Sequence, residues 1–423
     1  MKKIVLCTLV SLLFCSCSSI SNDDSNNGNS FQGTRRVSVS ELNADSRTIY
    51  SYVSEKGYGN KFVLSEGIKV NDVNELYSFS LKETSDFEKS FPKFYSCLMG
   101  KDFYKDSGAS DISKLQVDDY SGKLFPFSIG KMYGEIQYID LETVDKENNT
   151  YTTSMYAYPN GKLYYEKDAY FFPGNSFKNW YYYYSSYPDT KYTMLDGSEW
   201  TLSEAQSFAA KTYNELYSIY SPDASFEPYI VIPNERDGNY YFAVILRREY
   251  CGVPFKCCAV SKETDEVQSK PMFYLCYFYG KEKLTAMINT TGFEDIINPK
   301  QITDKVLPVT SALDILDKEL APNIILEIDD VSLVYYNSFD ASKYAELCKR
   351  IQSSEKYTLT EDENLMIGQP EGLPGTEFNC FPAWEFKLKK NIQISEDGFC
   401  SENFYDTKAI YVNAFTGEVI TYL

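Results

Sequence analysis

Two stretches of helical periodicity, each followed by long β-forming runs, constrain the fold of this chain most strongly. In the first stretch, Thr201 and Glu204 form a T-x-x-E capping box, and apolar residues recur at helical spacing as far as residue 219. We therefore predict a helix over 202–219. Strands are predicted after it at "PYIVIP" (228–233) and "YYFAVILRREY" (240–250), because β-branched and aromatic residues dominate both runs.

The second stretch begins near residue 308 and repeats this order of elements. Either Thr310 or Ser311 is the expected N-cap of "SALDILDKELA", in which leucines share one helical face. A helical segment near 340–353 and an acidic loop at 361–377 are inserted between the later strands. The strands expected after the capped helix are "IILEIDDVSLVYYN", "NCFPAWEFKLKK" and "AIYVNAFTGEVITYL".

This repeated order predicts the domain organisation and an α+β fold class. "AVSKETDEVQ" (259–268) aligns with "YVNAFTGEVI" (411–420), which favours an internal duplication; the alternative is that short hairpins resemble one another. We predict two tandem units, 196–300 and 301–423, each with a helix packed on an antiparallel sheet. Residues 37–195 carry alternating β-forming runs around an Asn-Gly turn signal and are predicted to form a β-rich N-terminal domain.

The C-terminal half carries a set of short motifs. They include "RREYCGVPF" (247–255) and the residues Leu333, Tyr335, Pro382, Ala383, Trp384, Phe386, Tyr411, Val412, Asn413, Ala414, Thr416, Gly417, Glu418 and Val419. These motifs resemble the PepSY-like and YycH/YycI-like extracytoplasmic domains, in which a strand similar to 247–255 precedes the first hairpin. The resemblance covers roughly 196–423 and implies protein contact, inhibition or sensor regulation, with no catalytic residues; the insert at 340–377 departs from it.

Three residues of this motif have direct physical interpretations. Gly417 fits a turn that needs a positive φ. Pro382 cannot donate to a β-ladder, so we expect its strand to lie at an edge or to begin there. We expect Trp384 to be a core residue rather than a platform for a ligand. The motif therefore predicts a fold, and function has to be argued from other residues.

The N-terminus predicts export and lipid attachment. Residues 1–16 combine two lysines with an apolar run that is too short to span a membrane, which needs roughly 20 apolar residues. The following sequence resembles the lipobox of bacterial lipoproteins, which implies cleavage after Ser16 and acylation of Cys17. Cys15 is the competing acceptor, and an ordinary secretory signal is the alternative.

Residues 17–36 are polar and rich in Gly, Ser and Asn, so we expect a disordered tether. Asp23 and Asp24 look like an export signal of surface lipoproteins; the alternative is a linker that happens to contain acids. The predicted location is the outer membrane, on its periplasmic face or at the cell surface, with the membrane contacted through the lipid anchor.

Composition excludes several classes of function. The chain has 423 residues, no histidine and a formal net charge of −19. Ser-His-Asp and Cys-His nucleophiles and histidine-ligated metals are therefore excluded. The acidic balance argues against nucleic acid as a partner. Eight cysteines remain after the predicted lipidation site, and either disulfides or buried free thiols would account for them.

The stretch "NWYYYYSSYP" (179–188) is the candidate binding surface. In an extended conformation Trp180, Tyr182 and Tyr184 line one face, and Tyr187 lies close by in the sequence. Such a row can bind glycan or protein. The alternative is a strand covered on both faces.

Acidic clusters are the remaining candidates for chemistry. Glu327, Asp329 and Asp330, or the cluster at 361–363, could bind Ca²⁺, but a solvated acidic face is the favoured interpretation. No local signature marks a carboxylate pair for glycan hydrolysis. We therefore predict no catalytic residue, no metal and no cofactor. The expected function is non-catalytic binding of another envelope or surface protein, with glycan binding and carboxylate-based hydrolysis as alternatives.

Overall fold

In the computed structural model, the protein folds into two seven-stranded β-sheets, each packed against a helix. The predicted lipidation site Cys17 and the predicted row of Trp180, Tyr182, Tyr184 and Tyr187 lie outside the described residues, so both stay predictions. The described residues are 34–42, 49–66, 68, 70–83, 91–100, 102, 104–105, 110, 128–132, 135–140, 154–157, 163–166, 190–221, 224–236, 238–257, 267–268, 272, 274–289, 294–321, 324–340, 342–353, 358, 360, 377–389 and 409–420.

The described residues form five α-helices and two short 3-10 helices, Val39–Glu41 and Tyr58–Asn60. The α-helices are α1 Ile49–Glu55, α2 Phe91–Met99, α3 Leu202–Tyr217, α4 Val309–Glu319 and α5 Ser342–Gln352. None of these helices has the length and apolar character needed to cross a membrane.

Eighteen strands are present in the described parts of the chain. In chain order they are β1 Phe62–Leu64, β2 Tyr77–Glu83, β3 Ser128–Met132, β4 Glu135–Asp140, β5 Ser154–Ala157, β6 Leu163–Glu166, β7 Lys191–Thr193, β8 Glu199–Thr201, β9 Ser225–Arg236, β10 Asn239–Tyr250, β11 Val253–Pro254, β12 Val267–Gln268, β13 Tyr274–Gly280, β14 Lys283–Asn289, β15 Glu294–Gln301, β16 Leu326–Asp340, β17 Glu377–Leu388 and β18 Ala409–Asn413. Almost every pairing is antiparallel, so the predicted α+β class is confirmed, with strands predominating.

One large sheet, which we call the α3 sheet, has the order β11-β10-β13-β14-β6-β5, and β9 pairs with β10. Helix α3 packs on one face of it through buried residues that include Ala205, Ala209 and Tyr213. The predicted capping box is confirmed: Thr201 Oγ1 accepts from the Glu204 N–H at 3.1 Å, and Glu204 Oε2 accepts from the Thr201 N–H at 2.9 Å. The box fixes the start of this helix because it satisfies two otherwise unpaired donors.

The other large sheet, which we call the α4 sheet, has the order β1-β16-β17-β2-β15, with β12 on β16 and β18 on β17. Helices α4 and α1 pack against it. Its strands come from the expected N-terminal domain and from both expected tandem units. Strand β2 pairs with β17 and with β15, so segments far apart in the sequence share one core.

Helix α4 begins earlier than its sequence suggests. Its N-cap is Pro308, and Thr310 and Ser311 lie inside the helix as buried residues, so the predicted N-cap at either position is wrong. The Ser311 hydroxyl instead donates to the Arg35 carbonyl at 2.9 Å. The preceding Leu307 is held by tertiary bonds, and these bonds set the helix start in place of a local side-chain cap.

Polar side chains of segment 49–64 contact helix α4. The hydroxyls of Tyr52 and Tyr58 donate to Asp314 Oδ1 at 2.8 and 2.9 Å, and Lys61 forms an ion pair with Asp317 at 2.9 Å. Burial, followed by the Asp314 carboxylate, raises the pKa of both tyrosines above the ordinary range. These contacts hold β1 at the margin of the α4 sheet.

Two expectations for the C-terminal motif are confirmed and one is corrected. Trp384 is a core residue, 1% exposed, and its Nε1 donates to the Leu307 carbonyl at 2.7 Å. Gly417 has φ 79°. Pro382 neither begins its strand nor lies at the sheet edge, because it is inside β17 and pairs with Tyr335. It is tolerated there because the second neighbour of β17 changes from β2 to β18 on either side of it.

Four described cysteines are free thiols: Cys97, Cys276, Cys348 and Cys380. Burial raises the pKa of the thiols of Cys276 and Cys380 well above its ordinary value. The interpretation as buried free thiols therefore holds for these two residues, which pack as small apolar side chains.

Two buried tyrosines in the α3 core allow a matched test of hydrogen bonding. The Tyr213 hydroxyl donates to the Leu275 carbonyl at 2.9 Å, whereas the equally buried Tyr274 hydroxyl has no hydrogen-bond partner in the structure as described. We expect Tyr213→Phe to lower the free energy of unfolding by about 1 kcal/mol, and Tyr274→Phe to leave it unchanged or to raise it by about 1 kcal/mol. Urea unfolding of both variants measures this difference, and equal losses would contradict it.

Candidate functional site

Two consecutive arginines on β10 connect the two sheets. Arg247 and Arg248 point to opposite faces of the strand, and they are 7% and 2% exposed. Arg247 Nη1 lies 3.6 Å from Glu385 Oε1 on β17, and Arg248 Nη1 donates to the Glu294 carbonyl on β15 at 2.6 Å. Both arginines of the α3 sheet therefore contact strands of the α4 sheet.

Arg247 lies at the centre of a group of polar side chains that we call the inter-sheet ionic cluster. The ring of Tyr229 contacts two cations, with its centroid 4.8 Å from Arg247 Cζ and 4.8 Å from Lys387 Nζ. Desolvated contacts of this kind stabilise by about 2 kcal/mol. The members of the cluster are Glu227, Tyr229, Arg247 and Glu249 from the α3 sheet, and Asp330, Glu385, Lys387 and Tyr411 from the α4 sheet.

Glu385 is the most deeply buried acid of the cluster, at 1% exposed. Its Oε2 accepts from the Tyr411 hydroxyl at 2.7 Å, and Ser332 Oγ lies 3.5 Å from its Oε1. Burial raises the pKa of this carboxyl, and Arg247 is the main opposing influence. Although burial alone would lower the pKa of the Arg247 guanidinium, the carboxylates of Glu227 and Glu385 raise it above its ordinary value. The two charges therefore depend on each other.

Asp330 and Lys387 form a second charged pair at the edge of the cluster. They face each other across the β16–β17 ladder, and Asp330 Oδ1 also accepts from the Val331 N–H at 2.9 Å. Burial raises the pKa of the Asp330 carboxyl, while Lys387 and then Arg247 oppose the shift. Two positive charges therefore favour the ionised form of this acid.

Glu227 and Glu249 form a carboxyl pair at the outer side of Arg247. Arg247 Nε donates to Glu227 Oε1, and the carboxyl of Glu249 is hydrogen-bonded to that of Glu227. Burial, and then the charge of Glu227, raise the pKa of Glu249 to about 7. Burial and the neighbouring charge therefore favour the protonated form of Glu249 to a higher pH than for an ordinary carboxyl group.

This carboxyl pair does not have the spacing of a glycosidase. Retaining enzymes hold two carboxyl groups about 5–5.5 Å apart and inverting enzymes about 6.5–9.5 Å apart, with the scissile bond between them. The carboxyl groups of Glu227 and Glu249 are instead hydrogen-bonded directly to each other. Their arrangement suits the sharing of a proton within the protein.

The sequence alone indicates little of this cluster. Of its members only Asp330 is a candidate in the sequence, as a Ca²⁺ ligand or part of a solvated acidic face. The solvated interpretation holds for Glu327, whose side chain is 48% exposed, but not for Asp330, which faces Lys387. Within the described ranges, no group of three or more Cys, Asp or Glu side chains is arranged to hold a metal ion. The overlooked signal was the pair of adjacent arginines inside an otherwise apolar strand.

Comparison with solved structures returns a crystal structure of an uncharacterized protein from Eubacterium rectale ATCC 33656. It is 15% identical to this chain, the match covers 86% of this chain and 92% of that one, and the TM-score is 0.46. No family model matches the chain, and no curated protein matches it. A likeness of this size supports no inference about function, which therefore has to be argued from the residues themselves.

Proposed function

We propose that this chain is a non-catalytic protein of the bacterial outer membrane, anchored by lipid at Cys17, that binds another envelope or surface protein. Regulation is one role that such a contact can serve. In this proposal 196–300 and 301–423 are two PepSY-like units. The order of elements supports them, because α3 precedes the β9–β10–β13 meander and α4 precedes the β16–β17–β18 meander.

The observation that carries the proposal is that the acids of the inter-sheet ionic cluster interact with other side chains of the same chain. The acids with raised pKa, Glu249, Asp330 and Glu385, are engaged by an arginine, a lysine, a tyrosine and another carboxyl group of the same chain. A general acid or base must instead reach a proton on a substrate. The groups best suited to chemistry therefore join two sheets, which supports a binding function over a catalytic one.

Cross-linking in living cells tests this proposal. The full-length chain should form an adduct of defined mass with one envelope or surface protein. A chain that elutes alone from gently solubilised envelopes at every cross-linker dose would contradict the proposal. Recovery of cell-surface glycan without protein, lost in Trp180→Ala, would favour the glycan alternative. Truncation near residue 300 is unsuitable, because it removes the strands that pair with β1 and β2.

The lipid anchor has its own test. We expect Cys17→Ala to move the protein from the membrane fraction to the soluble fraction, because the acyl chains supply the membrane affinity. Cys15→Ala is the matched control and should leave the protein in the membrane. The mass of the mature N-terminal peptide reports acylation directly. Loss of acylation in Cys15→Ala, with Cys17→Ala still acylated, would move the anchor to residue 15.

A further inference from the structure

An exposed apolar patch lies at the β1 edge of the α4 sheet. Among the residues that the structure describes, four large apolar or aromatic side chains are markedly exposed: Tyr50 at 44%, Val63 at 45%, Tyr104 at 40% and Ile325 at 63%. Val63 is in β1, and Ile325 immediately precedes the β16 residue that pairs with Phe62. The Tyr50 hydroxyl donates to the Ser65 carbonyl at 2.9 Å, just beyond the end of β1. Three of the four side chains therefore lie around one short edge strand.

The backbone of β1 pairs with β16 on one side. The pairing with β16 is parallel, with Val63 opposite Glu327, and it continues through the Leu326 N–H to the Lys61 carbonyl at 2.8 Å and the Ser65 N–H to the Ile328 carbonyl at 2.9 Å. Alternation along the strand directs the N–H and C=O groups of Phe62 and Leu64 away from β16. No strand in the described part of the chain pairs with that side.

Two longer edge strands carry features that discourage pairing, and the short strand β1 does not. Strand β15 contains Pro299, Lys300 and a register shift, and its Asn298 has φ 54°. Strand β9 contains Pro228 and Pro233. Proline, lysine and bulges at an edge prevent unwanted strand addition. The sequence Phe-Val-Leu of β1 has none of these features. Because β1 is short, accidental pairing is limited, but a specific strand can still pair with it.

The charge around β1 indicates the kind of partner. Glu66 and Glu327 are exposed beside the strand, and Asp329 accepts from Ser65 Oγ at 3.2 Å. Lys389 is 4.0 Å from Glu327, so it offsets only part of this charge. A second copy of this chain would bring the same acids to the same edge. Because each copy also carries a net charge of −19, two copies would repel each other. A basic partner complements this surface.

We propose that the β1 edge binds an extended segment of another envelope protein, which adds a strand beside β1 and carries alternating apolar side chains flanked by Lys or Arg. This inference rests on the proposed function and names its contact surface. Backbone bonds to Phe62 and Leu64 would supply affinity, and Val63 and Ile325 would meet the apolar side chains.

The experiment places the photoreactive residue p-benzoylphenylalanine at Ile325 in the full-length lipoprotein, in living cells. A second protein carries it at Lys211, an exposed site on α3, as the control. In the Ile325-labelled protein, Val63→Arg should lower adduct yield by about tenfold, because it adds positive charge facing a basic segment. Val63→Thr keeps a β-branched side chain and should stay within about twofold of the parent. Val63→Glu should lose less than Val63→Arg.

The outcomes separate this inference from the proposed function. Mass spectrometry of the Ile325 adduct should identify an apolar and basic segment of an envelope protein. An adduct between two copies of this chain would overturn the inference, as would equal yields for Val63→Arg and Val63→Thr. If chemical cross-linking recovers a partner and Ile325 yields no adduct, the edge is wrong and the proposed function stands. If neither method recovers a partner, both fail. Urea unfolding confirms that each variant is folded.

Discussion

Replacing Arg247 by methionine should lower the free energy of unfolding by about 3–5 kcal/mol. The guanidinium is 7% exposed and is the cation closest to the carboxylate of Glu385, which is 1% exposed. Methionine fills much of the same volume but removes the cation that pairs with this carboxylate and with that of Glu227. Breaking a buried pair costs far more than the pair contributes, because a desolvated charge remains. Urea unfolding at neutral pH measures the loss.

A double variant tests the cause of that loss. In Arg247→Met/Glu385→Gln the buried negative charge is removed, while glutamine keeps an acceptor for the Tyr411 hydroxyl. We expect it to recover more than half of the stability lost in the single variant, because neutral replacements of buried pairs are often tolerated. Lys191→Met is the surface control: it breaks the exposed pair with Glu199 and should cost less than about 1 kcal/mol. A double variant as unstable as the single one would contradict this account.

Local elements of the fold could be predicted because local chemistry determines them. The capping box at Thr201 and Glu204 satisfies its own helix end, and the helix forms over Leu202–Tyr217 as expected. The long strands β10, β16 and β17 follow runs of β-branched and aromatic residues. These signals lie within a few residues of the elements that they specify.

Strand partners could not be predicted in the same way. Tyr77–Glu83 looks like part of an N-terminal domain, yet it pairs with residues near 380 and near 297. Alternation of side chains indicates a strand and a buried face, but it does not identify the neighbour. Chain order therefore does not indicate which strands share a sheet.

The inter-sheet ionic cluster depends on the same long-range pairing. In the sequence alone, the stretch "RRE" at 247–249 indicates a solvated strand end. In the structure, Glu385 and Lys387 of β17 lie in the same cluster as Arg247. A buried charge is invisible in sequence because its partner can lie anywhere in the chain. Adjacent arginines after five apolar residues are nevertheless a usable signal, since an alternating strand cannot expose both of them.

Glu249→Gln should make the protein more stable than wild type at pH 8 and equally stable at pH 4. Burial, and then the charge of Glu227, raise the pKa of Glu249 from 4.5 to about 7 in the folded chain. An acid whose pKa is raised by folding favours the folded state while protonated. That contribution is complete below about pH 4.5 and is lost as the pH rises to about 7. Glutamine resembles the protonated acid and does not titrate, so it removes the loss.

The size of this effect follows from linkage. The full difference in pKa corresponds to about 3 kcal/mol, and partial exposure of Glu249 reduces the expected gain at pH 8 to about 1–2 kcal/mol. Urea unfolding at a series of pH values measures it. Glu235→Gln, at an exposed position on the same hairpin, should keep the wild-type pH dependence. If Glu249→Gln also keeps it, Glu249 does not hold the proton at neutral pH, and this account is wrong.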